Sequence, residues 1–268
     1  MAAGSSRGSR MHSAVFAPIG DEGRASLVEG RIDRAISAGA LADGERLPSE
    51  SELARSFGVA VVTVREALDA LRKRGLIETR RGRSGGSFVT ASRSDAVANN
   101  EGSLLAMPRV ELNDLAVHYE TIAAACAEFA CVRATPDELE VIQEILAEAR
   151  GAGREAWRRI ITDVQLELAG LSQSVRLTRE HVRLQAEFTP LLTLQDGDAE
   201  ARERSHDALT EQVQATLDRD FPRARAAIRE SVSGSLRWLV RRRATLSAGL
   251  LGGERVTLDH SLSAQEGP

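Results

Sequence analysis

The chain has 268 residues, 42% of them hydrophobic, and a formal net charge of −4. That length suits two domains with real cores, and the acidic balance excludes a protein that coats nucleic acid indiscriminately. No apolar run approaches the roughly 20 residues of a membrane helix, and the polar start MAAGSSRGSR lacks the apolar stretch of a secretory signal, so no membrane partner and a cytosolic location are expected.

Residues 1–20, rich in Ser, Gly and Arg without periodicity, read as a disordered arm. A helix begins near Asp21, with Leu27, Ile32, Ala35 and Ile36 at helical spacing, and ends around Gly39 and the Ala42–Gly44 turn. Ser49 then precedes Glu50, Ser51 and Glu52, an N-cap with an acid at the third helical position. Leu53, Ala54 and Phe57 supply that helix's apolar face, and Gly58 its stop. After a tight turn comes a second helix whose stripe is Val64, Ala67, Leu68 and Leu71, with Thr63, Arg65 and Arg72 facing elsewhere. Gly75 ends it. Leu76–Thr79 and Ser87–Thr90 read as two strands of a hairpin with a Gly- and Arg-rich tip. Two short helices, a tight turn and a hairpin make a winged helix-turn-helix over residues 21–91, a fold whose second helix enters the major groove of DNA.

Charge supports that placement. Between Arg65 and Arg83 the basic residues are Arg65, Arg72, Lys73, Arg74, Arg80, Arg81 and Arg83, against Glu66, Asp69 and Glu78, a net of +4 on an acidic chain. The patch reads as one polyanion-binding face, with a solvated helix face as the alternative.

Residues 92–108, small and polar before Pro108, read as a linker. Beyond it helices are expected over 110–134, 136–150, 153–175, 178–194, 198–219 and 221–246, an antiparallel bundle spanning 109–246, with 247–268 as a flexible tail. Thr135 and Pro136 form a helix start, and Pro190 should kink or end its helix. The fold class is mainly α. Cys126 and Cys131, five apart on one helix, point apart and should not pair.

The run ERLPSESELARSFGV through VREALDALRKRGLIETRRGRSGGSFV, within residues 24–90, resembles the GntR family of bacterial regulators. Downstream, HYETIAAACAEFACVRATPDEL, DVQLELAGLSQS, SHDALTEQV and RDFPRARAAIRESV resemble the effector domain of its FadR subfamily. The resemblance implies a transcription regulator, a repressor in the first instance, binding operator DNA as a homodimer under control of a small molecule. Organic acids, fatty acids and acyl-CoA esters are the effector classes it suggests. The DNA-contacting residues it implies are Ser51, Thr63, Arg65, Arg80, Arg81 and Arg83. The chain departs from the pattern at Ala60, Val61 and Val62, where the family carries hydroxyls and an arginine. These three cannot donate to phosphates or bases, though valine can pack on a thymine methyl.

Relatives of this subfamily often hold a divalent metal through Asp-x3-His and two later histidines. Here the first pair is Asp163 and Glu167, His206 resembles the second histidine with Thr210 as another register, and Ser231 stands at the third. Asp163, Glu167 and His206 are therefore the candidate metal ligands of an altered site. The alternatives are a surface acid pair serving Arg158, Arg159 or Arg183, and a metal-free pocket. Trp157 and Trp238 are expected in packing, and His118, His181 and Phe188 could line a pocket. No phosphate loop, nucleophile elbow, zinc spacing or HExxH motif occurs, so an enzyme is the weaker reading, as is an architectural DNA-binding protein with no effector.

Overall fold

The computed structural model describes residues 23–82, 85–90 and 93–263, with side chains except those of residues 93 and 250–263. The arm at 1–20, Arg83 and residues 264–268 lie outside the described residues. Among those described, ten α-helices and one two-stranded sheet occur.

The first unit comprises α1 (Arg24–Ser37), α2 (Glu50–Phe57), α3 (Val61–Lys73), β1 (Ile77–Arg80) and β2 (Gly86–Val89). The start of α2 is fixed by a reciprocal cap. Ser49 Oγ accepts from Glu52 N at 3.3 Å, while Glu52 Oε2 accepts from Ser49 N at 2.8 Å. Gly58 closes the helix at φ 67°, a conformation that costs a residue with a Cβ, so the tight turn to α3 needs glycine there. Ile32, Leu53, Phe57, Val64, Leu68 and Leu71 interdigitate in one core with Ile77 and Val89 of the hairpin. Each such side chain contributes about 1.5–3 kcal/mol when fully buried. The strands pair antiparallel from Ile77 against Val89 to Arg80 against Gly86, one residue displaced from the expected spans.

Residues 93–106, expected as part of a linker, form α4 (Arg93–Ala106). Tertiary packing overrides their weak intrinsic preference: α4 lies against α1 on one side and the helical domain on the other. Leu104 and Asn100 are buried there.

The second unit comprises α5 (Arg109–Arg133), α6 (Pro136–Ala149), α7 (Arg154–Leu171), α8 (Val175–Leu192), a 3₁₀ turn at Thr193–Gly197, α9 (Ala199–Leu217) and α10 (Phe221–Ser263). Thr135 caps α6 through Glu138, with Pro136 at the first helical position, as the sequence suggests. Pro190 sits inside α8, which ends two residues later and tightens into the 3₁₀ turn. Helix α10 continues to Ser263, beyond the expected end at 246. By length and composition α5 could cross a bilayer, contrary to the first impression of the sequence, with an 18-residue window of mean hydropathy 1.3. Half of that window is buried inside the fold, as in the core helix of a bundle. Leu112, Tyr119, Leu184, Phe188 and Leu239 form one core, and Leu139, Trp157, Val164, Leu168 and Val213 another.

Candidate nucleic-acid interface and inner pocket

The N-terminal turn of α3 exposes apolar and polar side chains together. Ala60 stands at the N-cap and its side chain makes no capping bond, so the first N–H groups of α3 keep no side-chain partner. Val61 and Val62 are 38% and 57% exposed, Arg65 is exposed and Thr63 half-buried. Ser51 is exposed on the first turn of α2. Arg65 Nη2 pairs with Glu50 Oε2 at 3.0 Å, which sets the arginine between the starts of α2 and α3.

The basic stretch does not act as one unopposed patch. Arg74 bonds Glu29 and Asp33 on α1 at 3.2 and 2.9 Å, Arg72 pairs with Asp69, and Arg80 pairs with Glu78 at 2.7 Å while its guanidinium lies 4.4 Å from the Phe88 ring. Arg74 thus finds acids that only the fold brings near, while Arg72 and Arg80 pair with neighbours in sequence. Among the described residues, Lys73 and exposed Arg81 keep their charges without an ion pair. Arg83 lies outside the described residues.

In the helical domain a pocket of about 30 Å³ lies between α5, α7, α8, α9 and α10. Its polar lining is Gln165, His181, Gln212 and Ser231, beside Tyr119 and Cys126. His181 is 3% exposed, neither ring nitrogen has a hydrogen-bond partner, and burial pushes its pKa down to about 4. The imidazole is therefore neutral at pH 7, its ring 5.2 Å from that of Tyr119, which also packs on Phe188. Cys126 is a free buried thiol pushed up to about 11, hence inert.

The expected metal ligands are not gathered. Among the described residues no three His, Cys, Asp or Glu side chains could hold a metal together. His206 is buried on α9, where its Nε2 accepts from Arg150 Nε at 3.3 Å. On α7, Asp163 is pushed up to about 6 by burial and by repulsion from Glu167 one turn away, opposed by Arg159. Of the three arginines considered as its partners, Arg158 pairs with Asp196, and Arg183 with Glu180 and Glu187. The inner pocket instead takes Gln165 from α7 and Gln212 from α9, in a different register from Asp163, Glu167 and His206. Neutral amides around one imidazole do not fit a borderline divalent ion. Ser231 and His181 do line the pocket, as the sequence suggested, whereas His118 and Phe188 are not in its lining and Gln165 and Gln212 carry no signal in the sequence alone.

Residues 24–89 match the family described as bacterial regulatory proteins, gntR family, and residues 114–234 match the FCD domain. RmpR of Mycobacterium gastri, named as an HTH-type transcriptional regulator, is 38% identical over 65% of this chain and 64% of its own length. The HTH-type transcriptional repressor NanR of Cronobacter sakazakii is 29% identical over 55% of this chain and 57% of its own length. The chain thus spans less than two thirds of these curated relatives. Among solved structures, E. coli McbR/YncC aligns over 83% of this chain and 99% of its own, with a TM-score of 0.50 and 19% identity, a likeness of fold. With a winged helix-turn-helix matched in its first part and an FCD domain in its second, the chain belongs to the GntR family of bacterial regulatory proteins.

Proposed function

We propose that this protein is a sequence-specific transcription regulator that binds operator DNA as a homodimer in the cytosol. The observation that carries the reading is the uncapped start of α3, where Thr63 is half-buried and Arg65 exposed, Arg65 pairing with Glu50 at the start of α2. Open backbone N–H groups at a helix start attract a phosphate, and the side chains one turn further can reach base edges. In this reading Ser51 contacts the backbone, Thr63 and Arg65 the groove, and Arg80, Arg81 and Arg83 the phosphates flanking the wing. Val61 and Val62 pack on thymine methyls rather than donating hydrogen bonds, which moves part of the affinity to phosphate contacts. Repression is the mode of action favoured here, in line with the name of NanR. The chain's relatives are transcription regulators, which supports a non-catalytic role.

The helical domain is the proposed sensor, with the unpartnered imidazole of His181 as the polar anchor inside it. Buried polar groups are nearly always satisfied, so an unsatisfied pair of nitrogens facing a cavity favours a guest. At about 30 Å³ the pocket has room for little more than a water molecule, and the bundle must open to admit anything larger. No arginine or lysine lines it, so a neutral compact ligand suits it better than an acid. Footprinting on the DNA upstream of the protein's own gene tests the proposal. A protected pseudo-palindrome with half-sites about 10 base pairs apart, or a multiple, is expected. Uniform protection without a preferred site would favour an architectural protein instead.

A further inference from the structure

A second cavity, of about 150 Å³, opens between the winged unit and the helical domain. It is five times the volume of the inner pocket, and a void of about this size in a protein interior accepts a ring as large as benzene. One wall is apolar: Ile36 at the end of α1, Leu41 in the turn after it, and Val97 on α4. The opposite wall is the first turn and a half of α7, which presents Arg154, Arg158 and Arg159.

The three arginines differ in state. Arg158 is 5% exposed and held rigidly: its Nε bonds both carboxylate oxygens of Asp196 at 3.0 and 3.1 Å, and its Nη2 bonds Leu192 O at 3.1 Å. Its guanidinium also lies 4.8 Å from the Trp157 ring. Arg154 and Arg159 are exposed at the rim and form no salt bridge with a described residue. Asp43 and Glu155 stand at the same cavity, so the charges there nearly balance once Asp196 is counted against Arg158. With the net charge there close to zero, a carboxylate is drawn by the local donors of Arg154 and Arg159 and not by a positive field over the whole cleft.

We infer that this cleft is a binding site for a small organic monoanion, a carboxylate on a compact apolar body. The carboxylate meets the rim guanidiniums, whose paired donors match its two oxygens, and the body lies against Ile36, Leu41 and Val97. Such a guest touches both domains at once and holds the DNA-binding unit at one orientation. The site is separate from the inner pocket, which has neither the volume nor the cations for this ligand.

The test uses benzoate as the probe and benzyl alcohol as its neutral counterpart, titrated calorimetrically into the full chain. Benzoate should bind saturably with one site per chain, and benzyl alcohol much more weakly. Replacing Arg154→Glu and Arg159→Glu together, at exposed positions that leave the core intact, should weaken benzoate at least about tenfold, the loss of one charge-assisted hydrogen bond. Ser231→Leu, which fills the inner pocket, should leave it unchanged. Absent saturable binding, benzoate affinity retained in the double variant, or loss of binding in Ser231→Leu would each overturn the assignment. None of these readouts involves DNA, so the result stands apart from operator recognition.

Discussion

Asn100 donates from Nδ2 to the carbonyl oxygen of Ser37 at 3.0 Å, and the same nitrogen donates to Thr193 Oγ1 at 2.9 Å. Only 2% of Asn100 is exposed, so one buried amide on α4 joins the end of α1 to the 3₁₀ turn of the helical domain. Asn100→Ala should lower stability by about 1–3 kcal/mol, because Ser37 O is left buried without its donor. Urea unfolding measures that loss. Limited proteolysis should also cut more readily between the domains in the variant, and an unchanged cleavage rate would show that the amide does not tie them.

The wing and the groove helix should fail in different ways. Arg65→Ala is expected to relax base preference at a cost of about 1–3 kcal/mol, while Arg81→Ala should weaken all DNA alike and reduce the salt slope by about one. Glu50→Gln should tighten binding to any duplex, because it removes the carboxylate that now pairs with Arg65 at 3.0 Å. Anisotropy titrations over a series of salt concentrations separate the three. If Glu50→Gln weakens binding, the carboxylate is positioning Arg65 rather than competing for it.

Stability against pH has two opposed contributions. His181 is held down to about 4 from its ordinary 6.5 by burial. Below that ordinary value the unfolded chain takes up a proton that the fold refuses, so stability falls as pH drops from 6.5 towards 4, by about 3 kcal/mol in all. Asp163 runs the other way. Pushed up to about 6 from 3.8, it keeps a proton that the unfolded chain releases, so stability falls as pH rises through that window. The slopes oppose each other between about pH 4 and 6. Asp163→Asn should therefore be more stable than wild type above about pH 6 and should lose stability more steeply on acidification. Denaturation curves parallel to wild type at every pH would contradict this.

Metal analysis of protein purified without chelator should find zinc and nickel well below one per chain. The reason is ligand type: the inner pocket offers one imidazole with two amides and a hydroxyl, and Asp163, Glu167 and His206 do not meet. Stoichiometric zinc, lost in Asp163→Ala, would show that these residues do assemble a site.

The winged unit was legible because its signals are local. Ser49 and Glu52 cap one helix, Gly58 turns the chain, and the stripe Val64, Leu68, Leu71 points one way whatever surrounds it. What could not be read is set by contacts distant in sequence. Helix α4 has no apolar periodicity, and only its burial between α1 and the bundle makes it helical. Arg74 looks like a DNA-facing cation until Glu29 and Asp33, some forty residues earlier, are found beside it. The pocket-facing register on α7 falls on Gln165 instead of Asp163, two residues away, which turns the side chain to another face of the helix.

Sequence-specific recognition is assigned to the start of α3. The most direct measurement is the affinity of the full chain for the upstream DNA of its own gene against scrambled DNA of equal length, at one fixed salt concentration. A ratio of about 10³ or more is expected for wild type, falling sharply in Thr63→Ala with Arg65→Ala combined. Equal affinity for both duplexes, or a ratio that survives the double variant, would contradict it.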